Sequence, residues 1–413
     1  MRHVLVLGGG TAGTMAANKL RRRLREDEWS VTVVDQSPLH HYQPGYLFVP
    51  FGTYQPEEIV RPRARYLTDG VGLVIAEVEA IDAPAARVSL TDGRMLDYDY
   101  LVVATGTTPR PDQTPGMDGP GWRRNVHDFY TLEGAVALRE ALQGFDGGRV
   151  AVHVTEMPIK CPVAPLELTF LLDSWLTDRG MRDRTVIVYV TPLEGAFTKP
   201  VASRHLAGML EDRGIGLEGD FVVEHVDGDA GVLVSMDERE VAFDLLVTVP
   251  LNMGSDVLAR SGLGDELNYV PVDKHTFLSK AYDNMFAVGD ASDIPASKAG
   301  SVAHFSMEHF PHNFVEHVSG RPMTSLFDGH ANCFVESGDG KALLIDFSYD
   351  VEPLPGKYPL PGVGPFTLLG ESEANHWGKL MFRWMYWNLL LPGRELPLPA
   401  LMSMAGKHEE RVA

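Results

Sequence analysis

The chain contains two cysteines, Cys161 and Cys333, among its 413 residues. Cys161 directly precedes a stretch predicted to be helical from about Ala164 to Leu176. A helix N-terminus favours a thiolate, and the neighbouring Lys160 adds a positive charge, so Cys161 is predicted to be a reactive nucleophile. The alternative is that both cysteines are small buried apolar side chains. Glu167, on the same helix, is either a proton relay or an exposed carboxylate.

A glycine-rich turn near the N-terminus predicts a dinucleotide site. Residues 4–7 are apolar and strand-like, residues 8–13 read Gly-Gly-Gly-Thr-Ala-Gly, a helix follows to about Leu24, and the next strand ends in an acid. In such a motif the glycines allow a tight turn, close approach to a pyrophosphate and helix–strand packing, while the acid accepts ribose hydroxyls. The residues predicted to hold the dinucleotide are Gly8, Gly10, Thr11, Ala12, Gly13 and Asp35.

Two later segments also end a buried strand in a small-residue turn. The strand over 100–103 leads into Ala104, Thr105 and Gly106, and the strand over 285–288 leads into Gly289 and Asp290. Each alone is an ordinary capped strand. Their occurrence in this order after the glycine-rich turn predicts that the dinucleotide is FAD.

A second dinucleotide unit begins at about residue 149 but lacks the residues that bind a nucleotide. Its turn, 155–162, contains no glycine, and Pro158 and Pro162 remove N–H donors that a pyrophosphate site would use. The following strand, 185–190, ends in Thr191-Pro192 with no acid for a ribose. We therefore predict a fold unit that has lost NAD(P)H binding and carries Cys161 in its turn.

This arrangement resembles the sulfide:quinone oxidoreductase family of two-dinucleotide-domain, FAD-dependent flavoproteins. The resemblance covers essentially the whole chain. Its most specific pieces are residues 160–167 (Lys-Cys-Pro-Val-Ala-Pro-Leu-Glu), Thr191-Pro192, Lys298-Ala299-Gly300 and Cys333 in a C-terminal strand. It implies that Asp290 holds a ribityl hydroxyl and that Lys298 belongs to the cofactor site.

The resemblance also implies a mechanism. Cys161 and Cys333 would form a redox disulfide or polysulfide bridge on one face of the flavin. Sulfide would attack this bridge, Cys161 would form an adduct with the flavin, and sulfane sulfur would accumulate at Cys333. A membrane quinone would then take the electrons from the other face. No cysteine lies between residues 109 and 148, so we expect non-covalent FAD; His127, in that region, is either a proton acceptor or a structural histidine. No metal is expected.

Composition excludes nucleic acid as a partner. The chain has 36 Lys and Arg against 56 Asp and Glu, a net charge of −20 that repels polyanions. Its 44% hydrophobic and 22% charged content is typical of a globular protein. Because Met1 runs almost directly into a strand, we expect no signal peptide and a cytoplasmic protein. A small sulfur donor, sulfide above all, is the expected substrate, and the sequence leaves homo-oligomer formation open.

The segment 374–408 predicts an interface with a membrane. It contains three of the six tryptophans and four cations, Lys379, Arg383, Arg394 and Lys407, against a single acid. Aromatic residues with flanking cations are typical of an interfacial helix, although packing on the core or on a partner subunit is the alternative. We expect peripheral attachment to the inner face of the cell membrane, with Phe334 and Phe366 as candidates for a quinone pocket.

The predicted fold class is α/β, with two Rossmann-like domains and a C-terminal interface region. The FAD domain is expected over 1–110 and 250–320, the degenerate second domain over 111–249, and the C-terminal region over 321–413. Three other functions stay open. A type II NADH:quinone dehydrogenase would need the missing glycines, a flavocytochrome-type sulfide dehydrogenase would use a haem partner, and a non-catalytic redox sensor or scaffold would not need the cysteines.

Overall fold

The computed structural model describes residues 1–360, 363–395 and 400–408. Its α-helices are α1 (Thr11–Arg23), α2 (Leu132–Gly144), α3 (Ala164–Asp178), α4 (Pro200–Asp212), α5 (Asp256–Arg260), α6 (Gly300–Val318) and α7 (Glu373–Met385). Its strands are β1 (Arg2–Leu7), β2 (Trp29–Asp35), β3 (Leu39–His41), β4 (Val60–Pro62), β5 (Val71–Ile75), β6 (Val78–Asp82), β7 (Arg87–Leu90), β8 (Met95–Asp97), β9 (Tyr100–Val103), β10 (Thr107–Arg110), β11 (Val126–His127), β12 (Gly148–Val154), β13 (Thr185–Val190), β14 (Gly216–Glu218), β15 (Val223–Asp227), β16 (Val232–Ser235), β17 (Glu240–Ala242), β18 (Leu245–Val249), β19 (Leu251–Gly254), β20 (Met285–Ala287), β21 (Ala331–Gly338), β22 (Lys341–Phe347), β23 (Gly356–Tyr358) and β24 (Phe366–Leu368).

A parallel five-stranded sheet carries the glycine-rich turn. Its strand order is β20-β9-β1-β2-β5, and Val4 to Leu7 of the central strand are fully buried. The strands and the helix predicted here from the sequence are confirmed. Because β1, β9 and β20 are parallel neighbours, the turns that follow them meet at one edge of the sheet, where such folds bind ligands.

A second parallel sheet confirms that the degenerate unit keeps its fold. Its order is β11-β18-β12-β13-β14, and α3 packs against β12 and β13. The predicted helix near residue 164 is confirmed as α3, which Pro165 helps to start because its fixed φ suits the first helical turn. The glycine-free turn therefore joins β12 to α3 at the carboxyl edge of this sheet.

A C-terminal sheet, ordered β21-β22-β24-β23, brings Cys333 to the same region. Strand β21 packs against α3, α6 and α7, so it lies between the helix that follows Cys161 and the aromatic C-terminal helix. The Pro-rich stretch 353–362 contains β23, which pairs with β24. Pro361 and Gly362 lie outside the described residues.

Candidate functional site

A cavity of about 420 Å³ runs from the glycine-rich turn to Cys161. Most of the residues predicted to bind FAD line it, together with three of the predicted catalytic residues and a lysine of α7. The predicted residues in its wall are Gly8, Gly10, Thr11, Ala12, Asp35, Ala104, Thr105, Gly106, Lys160, Cys161, Glu167, Gly289, Asp290 and Lys298, and the lysine is Lys379. Six segments that are distant in the chain therefore share one site.

The glycines at the start of α1 have the roles that the sequence predicts. A Cβ on Gly8 would lie 2.3 Å from the carbonyl oxygen of Ala104, and one on Gly13 would lie 1.9 Å from that of Gly8. Gly13 thus acts in helix–strand packing behind the cavity. Gly10, by contrast, has no atom of the described part of the chain within 4 Å of an added Cβ, and no side chain of that part caps α1. The free N–H groups of α1 therefore face open space that suits a pyrophosphate.

Asp35 is held by groups that the motif alone does not reveal. Its Oδ2 accepts from the N–H of Gly9 at 2.7 Å, and its Oδ1 accepts from Ser37 N–H at 2.9 Å and pairs with Arg63 at 3.0 Å. Arg63 is buried, which orients the acid at the cavity wall. A carboxylate oxygen accepts about two hydrogen bonds, so Oδ2 keeps one lone pair for a ribose hydroxyl.

Two features at the far end of the cavity fit the rest of a dinucleotide. The hydroxyl of Thr105 is buried and has no hydrogen-bond partner among the described residues. Burial raises the pKa of Asp290, while Lys298 and Lys160 lower it. Burial also lowers the pKa of Lys298 to about 8, although Asp290 opposes that effect. With the open space at Gly10 and the lone pair at Asp35, these donors and acceptors fit FAD.

The C-terminal segment also reaches the glycine-rich turn. The hydroxyl of Tyr386, in a π-helical turn that continues α7, lies 2.7 Å from Thr11 Oγ1 and 2.7 Å from His40 Nε2. His40 in turn bonds the carbonyl of Gly9 at 3.1 Å. Thr11, predicted from the motif, is therefore positioned by a residue nearly at the other end of the chain.

The loop that carries Cys161 is fixed against the FAD side of the site. Cys161 N–H donates to the carbonyl of Lys298 at 2.6 Å, and the carbonyl of Cys161 accepts from Ala164 N–H at 2.9 Å and Tyr130 OH at 3.1 Å. Cys161 also has φ +50°, a conformation that non-glycine residues adopt rarely and that is common at functional sites. The missing glycine turn is thus replaced by a loop that presents a thiol to the cavity.

The groups that act on the Cys161 thiol differ from those that the sequence indicates. Burial raises the pKa of the thiol, and Glu167 raises it further. The cation that lowers the pKa is Lys379, whereas Lys160 donates to Gln43 Oε1 at 3.1 Å and has its own pKa lowered by burial. Cys161 precedes the first residue of α3 by three positions, and the helix end does not outweigh burial.

Cys333 lies in the same electrostatic environment. It is buried on β21, and burial raises its pKa to about 11, while Lys379 and a hydrogen bond with Ser301 lower it. Cys333 also raises the pKa of Cys161, so the two thiols act on each other. Both are free cysteines. The fold therefore brings two cysteines that are 172 residues apart in the sequence into one electrostatic environment.

The sequence did not reveal a buried ion pair between Lys379 on α7 and Glu167 on α3, close to the two thiols. Lys379 Nζ donates to Glu167 Oε1 at 2.6 Å and to the carbonyl of Phe334 at 3.0 Å. Glu167 is fully buried, which excludes the exposed alternative, and its Oε2 has no partner among the described residues. Burial lowers the pKa of Lys379, but Glu167 and Cys161 outweigh that effect and raise it. The prediction that Lys379 is an interfacial cation is therefore wrong.

Two other predicted residues lie elsewhere. His127 is buried on β11 in the second sheet, with Nε2 3.2 Å from the carbonyl of Arg124, and it does not line the cavity. Lys407, predicted as an interfacial cation, is buried and pairs with Asp346 at 2.6 Å. Its segment is interrupted by residues 396–399, which lie outside the described residues.

Comparison with known proteins assigns the chain to a family. The family model described as pyridine nucleotide-disulphide oxidoreductase matches residues 2–310. The chain belongs to this family. Within it, a mitochondrial sulfide:quinone oxidoreductase of Dictyostelium discoideum is 26% identical over 398 residues, which cover 95% of this chain and 86% of that protein. A type II NADH:quinone oxidoreductase of Staphylococcus saprophyticus is 26% identical over 366 residues, 83% of this chain and 90% of that protein.

A solved structure gives the same fold. The sulfide:quinone oxidoreductase of Aquifex aeolicus superposes with a TM-score of 0.79, covering 94% of this chain and 92% of that one at 21% identity. The family and this likeness confirm the predicted α/β fold with Rossmann-like cores. The chain is an oxidoreductase of this family.

Proposed function

We propose that the chain is an FAD-dependent enzyme that oxidises sulfide, or a closely related sulfur donor, and reduces a membrane quinone. The observation that carries this proposal is the replacement of the second nucleotide-binding turn by a loop that presents Cys161 to the FAD cavity. A relative named sulfide:quinone oxidoreductase aligns with 95% of the chain, which supports the same assignment. Hydrogen sulfide would lose two electrons and two protons to become sulfane sulfur, and a quinone would gain two of each.

FAD, when bound, accepts two electrons from the sulfur side and returns them to the quinone. The residues that would hold it are the turn of residues 8–13, Asp35, Thr105, Asp290 and Lys298. Binding there is non-covalent, since no cysteine other than Cys161 and Cys333 exists in the chain. The same edge of the sheet places the thiol loop beside the cofactor site.

The thiols would receive the sulfur atoms. Starting from a Cys161–Cys333 disulfide, sulfide would attack the sulfur of Cys333 and break the S–S bond, which leaves a persulfide on Cys333 and releases Cys161 as a thiol in the cavity wall. Two electrons would then pass to FAD as Cys161 attacks the added sulfur and the two cysteines are bridged again. A thiol must lose its proton before it can attack sulfur. Glu167 Oε2, buried and without a partner among the described residues, is the acceptor, and the Lys379 ammonium stabilises the negative charge that results. The redox disulfide between the cysteines remains part of this proposal. We assign no reacting atom to Lys160 or His127.

NADH and NADPH are not the donors in this proposal. The turn over 155–162 lacks glycine, and Lys160 pairs instead with Lys298 across a β-bridge. The domain division expected from the sequence, 1–110 with 250–320, then 111–249, then 321–413, is part of the same proposal. The first two sheets draw their strands from the first and second of these units, and the C-terminal sheet draws its strands from the third.

The exposed face of α7 supports attachment to a membrane surface. Trp377, Met381 and Trp384 are 66%, 52% and 59% exposed. Their spacing places them on one face of the helix, away from Lys379. Large apolar side chains that remain exposed on one helix face are typical of an interfacial helix. No helix among the described residues is long and apolar enough to cross a membrane. The inner face of the cell membrane is the side we propose.

The inner side of α7 offers a place for the quinone ring. Phe334 and Phe366 pack edge-to-face with ring centroids 5.1 Å apart. Both rings approach Gly378, where an added Cβ would lie 2.6 Å from Phe366 and 2.8 Å from Phe334. An aromatic pair beside a membrane-facing helix suits a flat, lipid-soluble ring. These contacts support a quinone site between β21, β24 and α7.

Anaerobic stopped-flow spectroscopy of the FAD-loaded protein tests the proposal. Sulfide should bleach the oxidised flavin absorbance, and addition of a soluble quinone should restore it. NADH and NADPH should bleach it negligibly over the same time. Rapid bleaching by either pyridine nucleotide, with none by sulfide, would assign the chain to the NADH:quinone dehydrogenases instead.

A further inference from the structure

A second buried carboxyl group, that of Glu336, lies beside the Glu167–Lys379 ion pair. Glu336 lies on β21, is 1% exposed, and its N–H donates to Glu167 Oε1 at 2.8 Å. Both of its carboxyl oxygens bond Nδ1 of His376, at 2.9 and 3.1 Å. The Lys379 ammonium acts on the carboxylates of both Glu167 and Glu336. Two carboxyl groups therefore share one buried cation.

Among these four side chains, that of His376 is the most exposed to solvent. Its side chain is 21% exposed, whereas those of Glu336 and Glu167 are 1% and 0% exposed. His376 and Lys379 lie three residues apart on α7, so they occupy one side of the helix. The series Glu167, Lys379, Glu336, His376 thus runs from the cavity wall to the surface.

Glu336 can change its protonation state near neutral pH. Burial raises its pKa to about 6, Lys379 and His376 lower it, and Glu167 raises it. These side chains come from α7 and α3. From the segment before β4, Tyr54 also faces it, since Glu336 contributes to the raised pKa of Tyr54. A buried group that titrates close to the working pH is suited to passing protons on.

We propose that Glu336 and His376 form the proton exit of the thiol site. The inference rests on the proposed oxidation of sulfide. The two electrons lost by each sulfide leave through FAD to the quinone. The two protons are accepted at Glu167 Oε2, move to the Glu336 carboxylate, whose charge and that of Glu167 are both balanced by the Lys379 ammonium, and leave through the His376 imidazole to water. Glu336 and His376 touch neither substrate nor cofactor, so they are relay residues.

The test uses reduction of the FAD-loaded enzyme by sulfide without quinone or membrane. His376→Ala should slow flavin bleaching at pH 7 by at least about 10-fold, which is less than the roughly 10²- to 10⁴-fold of a group that exchanges protons with the substrate directly, because His376 acts through Glu336. A pH indicator should show the net proton release, which is the protons lost by sulfide less those taken up by the reduced flavin, slowed equally. Added imidazole should restore both rates in His376→Ala but not in Glu336→Gln, where the internal carboxyl is lost. The control is His205→Ala, because His205 is exposed on α4.

Flavin content and the thermal midpoint of each variant show whether it is folded. Wild-type bleaching and proton-release rates in both variants would overturn the proposal, as would a slow His376→Ala that imidazole does not rescue. If sulfide fails to bleach the flavin of the wild type, the proposed function is wrong. A second measurement, which needs no sulfide, then tests the proton relay on its own. Infrared titration of flavin-free protein should show a carboxyl group titrating near pH 6 that Glu336→Gln lacks and His376→Ala shifts upward. The absence of that titration would refute the relay by itself.

Discussion

Lys379 on α7 donates a hydrogen bond of 2.6 Å to Glu167 on α3, although 212 residues separate them in the chain. The side chains of the two are 12% and 0% exposed. Lys379 is also the cation that lowers the pKa of both cysteines. This one contact therefore connects the C-terminal helix to the thiol loop and stabilises the charges that the proposed chemistry requires.

Removing the cation should destabilise the fold. We expect Lys379→Met to lower the free energy of unfolding by about 3–5 kcal/mol, because it leaves the buried Glu167 carboxylate without a partner. Adding Glu167→Gln should recover much of this loss, since a neutral amide has no unpaired charge. Urea denaturation of the single and double variants measures both effects.

Lys341→Met is the matched control, because Lys341 is exposed at the start of β22. It should change stability by no more than about 0.5 kcal/mol. Equal stability of Lys379→Met and the control would mean that the ion pair contributes nothing to the fold.

The open space beside Gly10 gives a test of cofactor placement. Gly10→Ala should lower the free energy of unfolding of the flavin-free protein by no more than about 1 kcal/mol, because Gly10 is the N-cap of α1, where alanine is less favourable than glycine, and no atom of the described residues lies within 4 Å of the added methyl group. The methyl group should nevertheless clash with the pyrophosphate and reduce the binding free energy of FAD by about 1–3 kcal/mol. This loss corresponds to roughly five- to 150-fold weaker FAD binding. Fluorescence titration of the flavin-free protein with FAD measures the difference.

Gly208→Ala on α4 is the control for this substitution. Gly208 also has no atom within 4 Å of an added Cβ, but it lies outside the cavity wall. Its FAD affinity should equal that of the wild type. Unchanged affinity in Gly10→Ala would place the pyrophosphate somewhere other than the N-terminus of α1.

The parts of this site that could be predicted from sequence are the locally determined ones. The glycine-rich turn, Asp35, and the turns ending at Gly106 and Asp290 follow from short patterns whose geometry lies within a few residues. The pairing of Cys161 with Cys333 came only from a family resemblance, since their approach depends on how β21 packs on α3. The groups that shift the pKa of Cys161 could not be predicted, because burial and the approach of Lys379 are properties of the assembled fold.

The relay residues left a weak signal in the sequence. His376 and Lys379 have helical spacing on a different side of α7 from Trp377 and Trp384, which indicates a polar inner face. Their partners could not be predicted, because Glu336 lies 40 residues from His376 and Glu167 lies 212 from Lys379. The tryptophans of the segment dominated its interpretation, and all of its cations were assigned to the membrane side.

Substitution of either cysteine should abolish the sulfur chemistry and leave cofactor binding intact. Cys161→Ser should abolish flavin bleaching by sulfide, because a hydroxyl cannot exchange with sulfur. Cys333→Ser should do nearly the same, since it removes the atom that carries sulfane sulfur. FAD content should stay at the wild-type level in both, and acid precipitation should release the FAD. A double variant that still oxidises sulfide at the wild-type rate would contradict the mechanism.

The exposed face of α7 should govern binding to vesicles. We expect Trp377→Ser with Trp384→Ser to weaken binding to phosphatidylcholine–phosphatidylglycerol vesicles by roughly 100-fold, because two partly inserted aromatic side chains contribute about 3 kcal/mol. Sulfide should bleach the flavin as in the wild type. Co-sedimentation with vesicles measures the binding.

Met95→Ser with Met236→Ser is the control, because both methionines are exposed elsewhere, at 55% and 67%. Vesicle binding should be unaffected by it. A tryptophan variant that binds vesicles normally but changes mass in light scattering would assign the face to a second copy of the chain.

Acid should destabilise the protein through buried neutral histidines, and His153 on β12 isolates this effect from the site. Its Nδ1 lies 2.9 Å from Thr248 Oγ1, its Nε2 is buried without a partner among the described residues, and burial lowers its pKa to about 3. The unfolded chain takes up a proton near pH 6.5, so the stability contributed above that pH is lost as the pH falls toward 3. Between pH 7 and pH 5 the loss in the free energy of unfolding is about 2 kcal/mol.

His153→Asn keeps a polar group near Thr248 but cannot become charged, so its urea midpoint should fall less over this range than that of the wild type. His205→Asn, at an exposed position, should show the wild-type fall, and an equal fall in His153→Asn would mean that His153 is not held neutral by burial.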